Sequence, residues 1–207
     1  MPRHAKVRPA GELTDDPAVS PIEVRDRILA TASDLFYRRG VRAVGVDLVV
    51  EKAGVAKTSL YRHFRTKDDL IAAFLRREDE DFWACWDRAA QGHETDARAE
   101  LEAQLDWIGE RVGRPGYRGC PQINVAAEFP DIDHPARAVA VAHKRELRRR
   151  LKGIADRLGA KHSDDLALKL SLLINGAFVS TPVFAEGEAT PALLTMSRAL
   201  IAADALA

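Results

Sequence analysis

Apolar residues recur along most of this chain at steps of three and four, the period of a helix face. Ile28, Leu29, Ala32, Leu35 and Phe36 form a first stripe that closes at Gly40. Two short segments follow, joined at Ala53-Gly54-Val55. Gly54 suits a helix end in the left-handed conformation, because only glycine takes positive φ without a Cβ penalty. Leu60 and Phe64, four apart, share a face that can pin the second segment to a core. Thr66 followed by Asp68 and Asp69 reads as a helix start, an N-cap with acids at the positive end of the helix dipole. That helix can run from Lys67 to about Ala90, carrying Leu70, Phe74, Phe82 and Trp86.

The remaining elements follow the same period. Arg98–Val112 carries Leu101, Leu105, Ile108 and Val112 until Gly113, Pro115 and Gly116 break it. Gly119-Cys120-Pro121 opens a short helix to about Phe129, with Pro121 in its first turn. Ala136–Leu158 places Val139, His143, Leu147, Leu151, Ile154 and Leu158 on one side, and Lys144, Arg145, Arg148, Arg149 and Arg150 on the other. Ser163-Asp164-Asp165 starts a helix lined by Leu166, Leu170, Leu173, Ile174, Ala177 and Phe178, which Pro182 stops. Thr190-Pro191 begins the last, with Leu193, Met196, Leu200 and Ala203. No segment has a strand period, and there is no repeat or low-complexity stretch. The predicted fold is all-α, with about nine helices. Residues 1–21 hold four of the ten prolines and no helical period, which predicts a flexible arm. Its Arg3, His4, Lys6 and Arg8 either reach a phosphate or the minor groove, or belong to a solvated leader.

Composition adds one asymmetry. With 46% hydrophobic and 30% charged residues the chain is ordinary for a globular protein. No apolar run is read as approaching the roughly 20 residues that span a bilayer, and no secretory h-region follows the basic N-terminus. Cys85 and Cys120 are too few and too far apart for a disulfide framework. The expectation is a cytoplasmic protein that does not enter a membrane. The net charge of zero conceals a division: Ile22 to Lys67 carries +5 and the chain from Asp68 onward −5. A basic head on an acidic body turns the head toward a polyanion.

The pair of short helices reads as a helix-turn-helix, with Lys57–Phe64 as the recognition helix. Opposite Leu60 and Phe64 a helical wheel places Thr58, Tyr61, Arg62 and Arg65, with Ser59 and His63 at the edges. This face is polar, basic and aromatic, carries no acid, and suits the major groove, where Arg and hydroxyl groups meet base edges and phosphates. The whole run ILATASDLFYRRGVRAVGVDLVVEKAGVAKTSLYRHFRTKDDLIAAFL resembles the N-terminal domain of the TetR/AcrR family of one-component transcriptional regulators. The turn Ala53-Gly54-Val55, Leu60-Tyr61, Phe64, and Lys67 followed by acids and Leu70 carry the resemblance, which covers about a quarter of the chain.

That resemblance implies a homodimer held by its last two helices, binding a palindromic double-stranded DNA operator and answering a small-molecule effector. It implies DNA contacts from Lys57, Thr58, Ser59, Tyr61, Arg62, His63 and Lys67. Gly45 stands where the family usually has a Thr that caps the first motif helix and touches phosphate; glycine offers no hydroxyl. The expected organisation is an arm (1–21), a DNA-binding head (22–67) and a ligand-binding and dimerisation body (68–207).

In the body, Trp83, Trp86, Trp107, Tyr117 and Phe178 can wall an effector cavity, with Gln122, Asn124, His143 and Asn175 as polar anchors. His143 interrupts an apolar stripe, a position that equally suits a satisfied core histidine. Cys120, near a helix start that lowers a thiol pKa, supports an alternative in which oxidation or an electrophile is the signal; its plainer role is a small buried hydrophobe. No Gly-rich phosphate loop follows a strand, and no His-x-x-x-His or Cys-x-x-Cys spacing occurs, so no catalytic residue, metal or cofactor is assigned.

Overall fold

A computed structural model of the protein describes residues 21–185 and 187–206, and among these every regular element is helical. The candidate arm contacts Arg3, His4, Lys6 and Arg8 lie outside the described residues. The helices are α1 (Pro21–Arg39), α2 (Val46–Ala53), α3 (Lys57–His63), α4 (Lys67–Ala90), α5 (Ala97–Val112), α6 (Pro121–Glu128), α7 (Pro135–Arg157), α8 (Ser163–Ser180) and α9 (Ala189–Leu206), with a 3₁₀ turn at Thr181–Val183.

Local chemistry sets the boundaries. Gly54 ends α2 at φ 64°, and its N–H with that of Val55 closes on the carbonyls of Glu51 and Val50. At α4, Thr66 Oγ1 accepts from Asp69 N at 3.0 Å while Asp69 Oδ2 accepts from Thr66 N at 3.1 Å, a reciprocal capping box. Asp96 starts α5 by accepting from Arg98 N and Ala99 N, both at 3.0 Å.

The interior divides into two apolar clusters. The first is mainly aliphatic and gathers α1, α2, α3 and the first turns of α4, with Ile28, Val41, Val44, Val49, Leu60, Leu70 and Leu75 among its fully buried members. The second, between α4, α5, α7, α8 and α9, is rich in aromatics. Phe82 is its hub: Trp83, Trp107 and His143 lie edge-on at 4.9–5.0 Å between ring centroids, and Trp86 and Phe178 at 6.2 Å. Helix α4 belongs to both clusters, with Leu70, Ile71, Ala73, Phe74 and Leu75 in the first and Phe82 and Trp86 in the second. Helix α9 is drawn tight against α5 at Gly109, where a Cβ would come within 2.5 Å of Thr190 Cγ2 and where Thr190 Oγ1 donates to the Gly109 carbonyl at 3.0 Å.

Helices α8 and α9 depart from expectation. Leu166, Leu170, Ile174 and Phe178 of α8, with Leu193 and Ile201 of α9, are buried within the protomer, and Leu173 and Leu200 partly so. Met196 of α9, a member of the expected stripe, is left in solvent, and beside it lie Leu168, Leu172 and Val179 of α8, which were not part of one; the four are between 39% and 64% exposed. Within Ser163–Val183 an 18-residue window reaches a mean hydropathy of 1.5, so the helix is by length and composition apolar enough to cross a membrane, which corrects the expectation that no such run exists. Its charged residues lie at the start (Asp164, Asp165, Lys169), leaving an uncharged, largely apolar remainder.

Candidate nucleic-acid interface and interior chamber

Helix α3 is only seven residues long and takes its position from the side it buries. Leu60 and Phe64 enter the first cluster, and Arg25 lies over the Phe64 ring at 5.3 Å. Lys57, Thr58, Tyr61, Arg62 and Arg65 are exposed, His63 is half-buried, and Ser59 is only 1% exposed. Ser59 was expected at the edge of the outward face; in this helix residues 59, 60, 63 and 64 occupy one arc, so Ser59 turns inward with Leu60.

An acid also reaches this surface, from outside α3: Asp47 Oδ1 sits 2.6 Å from Lys57 Nζ and raises that amine's pKa, chiefly through the hydrogen bond. Gly45 caps α2 with φ −79° and ψ 156°, contributing no side-chain hydrogen bond. Lys67, the first residue of α4, is half-buried, and desolvation lowers its pKa.

The same end of the molecule is gripped from the body. The Glu128 carboxylate, at the end of α6, accepts from Val41 N at 3.1 Å and Arg42 N at 2.8 Å, while Arg42 Nη1 donates to the Glu128 carbonyl at 3.3 Å. Tyr37 Oη donates to the Gly119 carbonyl at 3.3 Å and accepts from Arg118 N at 2.9 Å. His134 stacks on Phe129 with centroids 3.8 Å apart and approaches Asp68 at 3.5 Å. The α1–α2 turn is therefore tied to the end of α6, and the last turn of α1 to the segment that leads into it.

The other end of α6 borders a chamber walled by Glu78, Phe82, Arg111, Tyr117, Cys120, Pro121, Gln122, His143 and Phe178. The space left between them, about 10 Å³, has room for no more than one water. Glu78, Arg111 and Tyr117 also line an open cleft of about 310 Å³, bounded further by Ser33, Asp34, Tyr37, Arg114, Pro115 and Gly116. Cleft and chamber thus share a neck.

The chamber's polar groups are unevenly satisfied. His143 Nδ1 lies 2.6 Å from Asp79 Oδ1, an atom that also accepts from Trp83 Nε1 at 2.8 Å. Burial, helped by the neighbouring Lys144 charge, outweighs this carboxylate and lowers the His143 pKa to about 4, so the ring is neutral near pH 7. Gln122 Nε2 donates to the Leu75 carbonyl at 2.9 Å. His143 Nε2 and Gln122 Oε1 are buried without a partner. Lys144 Nζ donates to Cys120 Sγ at 3.3 Å and lies over the Phe178 ring at 5.2 Å; burial lowers its pKa. Lys144 is therefore not on the exposed basic face of α7, and Arg149 and Arg150 on that face are bound to Glu146, Arg150 also to Asp87.

Of the candidate effector contacts, Tyr117, Cys120, His143 and Phe178 meet in the chamber, with Gln122. Trp86 is buried behind Phe82, Trp107 packs edge-on against Phe82, and Trp83 is covered by Arg150 at 4.4 Å. Asn124 points away: it is exposed, donates to the Arg118 carbonyl at 2.9 Å, and faces the groove between α1 and α6. Two residues on from the chamber-lining Gln122, it lies about 200° around the helix, on the opposite side. Asn175 is half-buried on α8 with its Oδ1 unpaired, away from the chamber wall. Glu78 and Arg111 escaped the sequence reading. Each lies four residues from an aromatic of the cluster, Phe82 and Trp107, and so shares its helix face. Among the described residues no group of three His, Cys, Asp or Glu could hold a metal ion.

Comparison with known proteins bears on both sites. Residues 28–74 match the family described as bacterial regulatory proteins, tetR family. The transcriptional activator FasR of Mycolicibacterium smegmatis is 35% identical over 118 residues, 56% of this chain and 53% of FasR. The chain spans about half the length of the curated relatives it matches. Solved structures align more fully. A TetR-family transcriptional regulator from Streptomyces coelicolor is 29% identical with a TM-score of 0.85, over 88% of this chain and 96% of that one. A TetR-type regulator from Streptomyces avermitilis is 32% identical with a TM-score of 0.75, over 90% and 99%.

Proposed function

Since the chain belongs to the TetR family of bacterial regulatory proteins, we propose that it is a cytoplasmic homodimeric repressor, released from a palindromic operator by a small apolar or aromatic effector. In this reading residues 22–67 are the DNA-binding head and 68–207 the ligand-binding and dimerisation body. The observation that carries it is α3: a short helix seated by Leu60, Ser59 and Phe64 that presents Thr58, Tyr61, Arg62 and Arg65 to solvent. Lys57 serves as a phosphate contact that must exchange Asp47 for DNA.

Dimerisation accounts for the uncovered apolar face of α8 and α9. A second copy packed on Leu168, Leu172, Val179 and Met196 removes these side chains from water and makes an isologous four-helix contact. Two recognition helices then lie about one DNA turn apart, roughly 34–36 Å. Sedimentation of the wild type and of a Leu172→Glu/Met196→Glu variant tests this, with a dimer expected for the first and a monomer for the second. A wild type that sediments as a monomer while still protecting an inverted repeat would refute it.

One contact favours a second reading, in which the Cys120 thiol is the sensor. Lys144 Nζ, 3.3 Å from Cys120 Sγ, can stabilise a thiolate. Against it, Cys120 is 6% exposed and lies behind the Tyr117 neck. Operator release by an oxidant or electrophile that disappears in Cys120→Ser would favour the thiol; release by a reversible compound that persists in Cys120→Ser favours the cavity.

A further inference from the structure

Three groups in the chamber lack what they are built to bind, and they ask for different things. The Asp79 carboxylate can only accept, so His143 Nδ1 carries the ring proton and the orphaned Nε2 is a bare acceptor. Gln122 spends its amide N–H on the Leu75 carbonyl, so its orphaned Oε1 is an acceptor as well. Both side chains are 2% exposed, and an unpaired buried acceptor is costly. Arg111 presents the opposite need. Its guanidinium lies over Phe82 at 5.5 Å and Trp107 at 5.9 Å; the Glu78 carboxylate beside it at the neck feels its charge, but burial outweighs that attraction and raises the Glu78 pKa. Arg111 stands at the neck, lining both chamber and cleft.

Resting on the reading of this chamber as the effector site, we propose that the effector is a hydroxylated aromatic carboxylic acid. Its ring packs among Phe82, Tyr117 and Phe178, its hydroxyl donates to His143 Nε2 or Gln122 Oε1, and its carboxylate rests on Arg111 at the neck. An arginine offers a carboxylate a planar fork of donors, and the water-poor wall strengthens the pairing. Glu78 is the opposing charge; burial already pushes its carboxyl pKa up, so an incoming anion there favours its protonated form further. The chamber as it stands admits one water, so a ring enters only by widening it. Because Cys120, Pro121 and Gln122 form one wall, widening moves the start of α6, whose far end holds the α1–α2 turn through Glu128. A ligand that fits only the widened shape thereby favours a displaced head.

Calorimetric titration of the full-length protein with 4-hydroxybenzoate, benzoate and phenol tests this. 4-Hydroxybenzoate should bind about 10- to 100-fold more tightly than either analogue, as expected for losing one hydrogen bond or one charged contact. In Arg111→Met the acid should lose its advantage over phenol. Binding of 4-hydroxybenzoate no tighter than phenol or benzoate overturns the proposal, as does a folded Arg111→Met protein that keeps the acid's advantage. If Arg111→Met fails to fold by circular dichroism, the three-compound series on the wild type decides alone. Absence of binding by all three, in a protein that still protects operator DNA, overturns the ligand class and leaves the regulator reading standing. A protein that binds the acid in the expected order but no DNA keeps the ligand class and overturns the regulator reading.

Discussion

The head and the body spend their polar groups differently. Among the described residues, one buried side-chain atom of α1–α3 is left without a partner, Ser33 Oγ, and Ser33 borders the open cleft. The others lie in the body: Gln104 Oε1, Gln122 Oε1, Arg137 Nε, His143 Nε2, Asn175 Oδ1 and Ser197 Oγ. The head is a small aliphatic core that holds α3 in one orientation, with its chemistry outside. The body is an aromatic core with its chemistry inside. A surface that reads a rigid duplex gains from being fixed, whereas a chamber that must distinguish filled from empty keeps groups unsatisfied until a ligand arrives.

The strongest way to break this contrast is to hollow the head. Leu60 is fully buried, so Leu60→Ala should cost about 2–5 kcal/mol and abolish DNA binding. All three tryptophans, Trp83, Trp86 and Trp107, lie in the body. Their emission should therefore stay native-like while circular dichroism records the loss of head helices. Simultaneous loss of both signals on mild heating would mean that α4 welds the two cores into one unit.

Acid should weaken the body through His143. Its pKa is about 4 in the folded protein against about 6.5 unfolded, so the unfolded chain binds the extra proton. Stability is complete above about pH 6.5 and declines as pH falls from there toward 4. Glu146, held to about 2 by Arg149 and Arg150, acts only lower, between its ordinary range and pH 2. Melting temperatures between pH 7 and 4.5 should thus fall in the wild type and flatten in His143→Gln. An equal slope in both proteins would remove His143 from the account.

Filling the chamber's need permanently should have a smaller effect, of the opposite sign. Gln122→Leu removes an unpaired acceptor and should be neutral or stabilising by up to about 1 kcal/mol, while losing effector response. A loss of several kcal/mol by chemical denaturation would make Gln122 a structural tie to Leu75. The smallest change expected is at Gly45. Its φ of −79° and open surroundings accept any side chain, and Gly45→Thr should stabilise α2 by a few tenths of a kcal/mol. It should also tighten DNA binding with a steeper salt dependence, and an unchanged salt slope would argue against a phosphate at this cap.

Features encoded within a few residues were legible beforehand. The Gly54 turn, the Thr66 cap and Pro121 at a first turn signal themselves by local backbone chemistry, and the helices begin and end within a residue or two of where these predict. Distribution between faces was less legible. Ser59 lies on the border of an arc on a two-turn helix, where the wheel cannot separate edge from interior, and Asn124 depends on which side of α6 meets α4. Contacts between distant residues were not legible. Nothing local to Glu128 announces that it holds Val41 and Arg42, nor does Lys144, set among arginines, announce a partner in Cys120. For α8, periodicity marked an apolar stripe but not that the helix has two, one turned into the protomer and one left uncovered; for α9 it did not separate the buried Leu193 from the exposed Met196.

The central claim is that the head reads DNA and the body answers a ligand. It is tested most directly by titrating wild type, Arg62→Ala and Gln122→Leu against a duplex carrying the sequence that flanks the coding region, and against a random duplex. Arg62→Ala should lose about 1–3 kcal/mol on the specific duplex and less on the random one, while Gln122→Leu binds both as the wild type does. Wild-type discrimination between the duplexes retained in Arg62→Ala, or lost in Gln122→Leu, would contradict it.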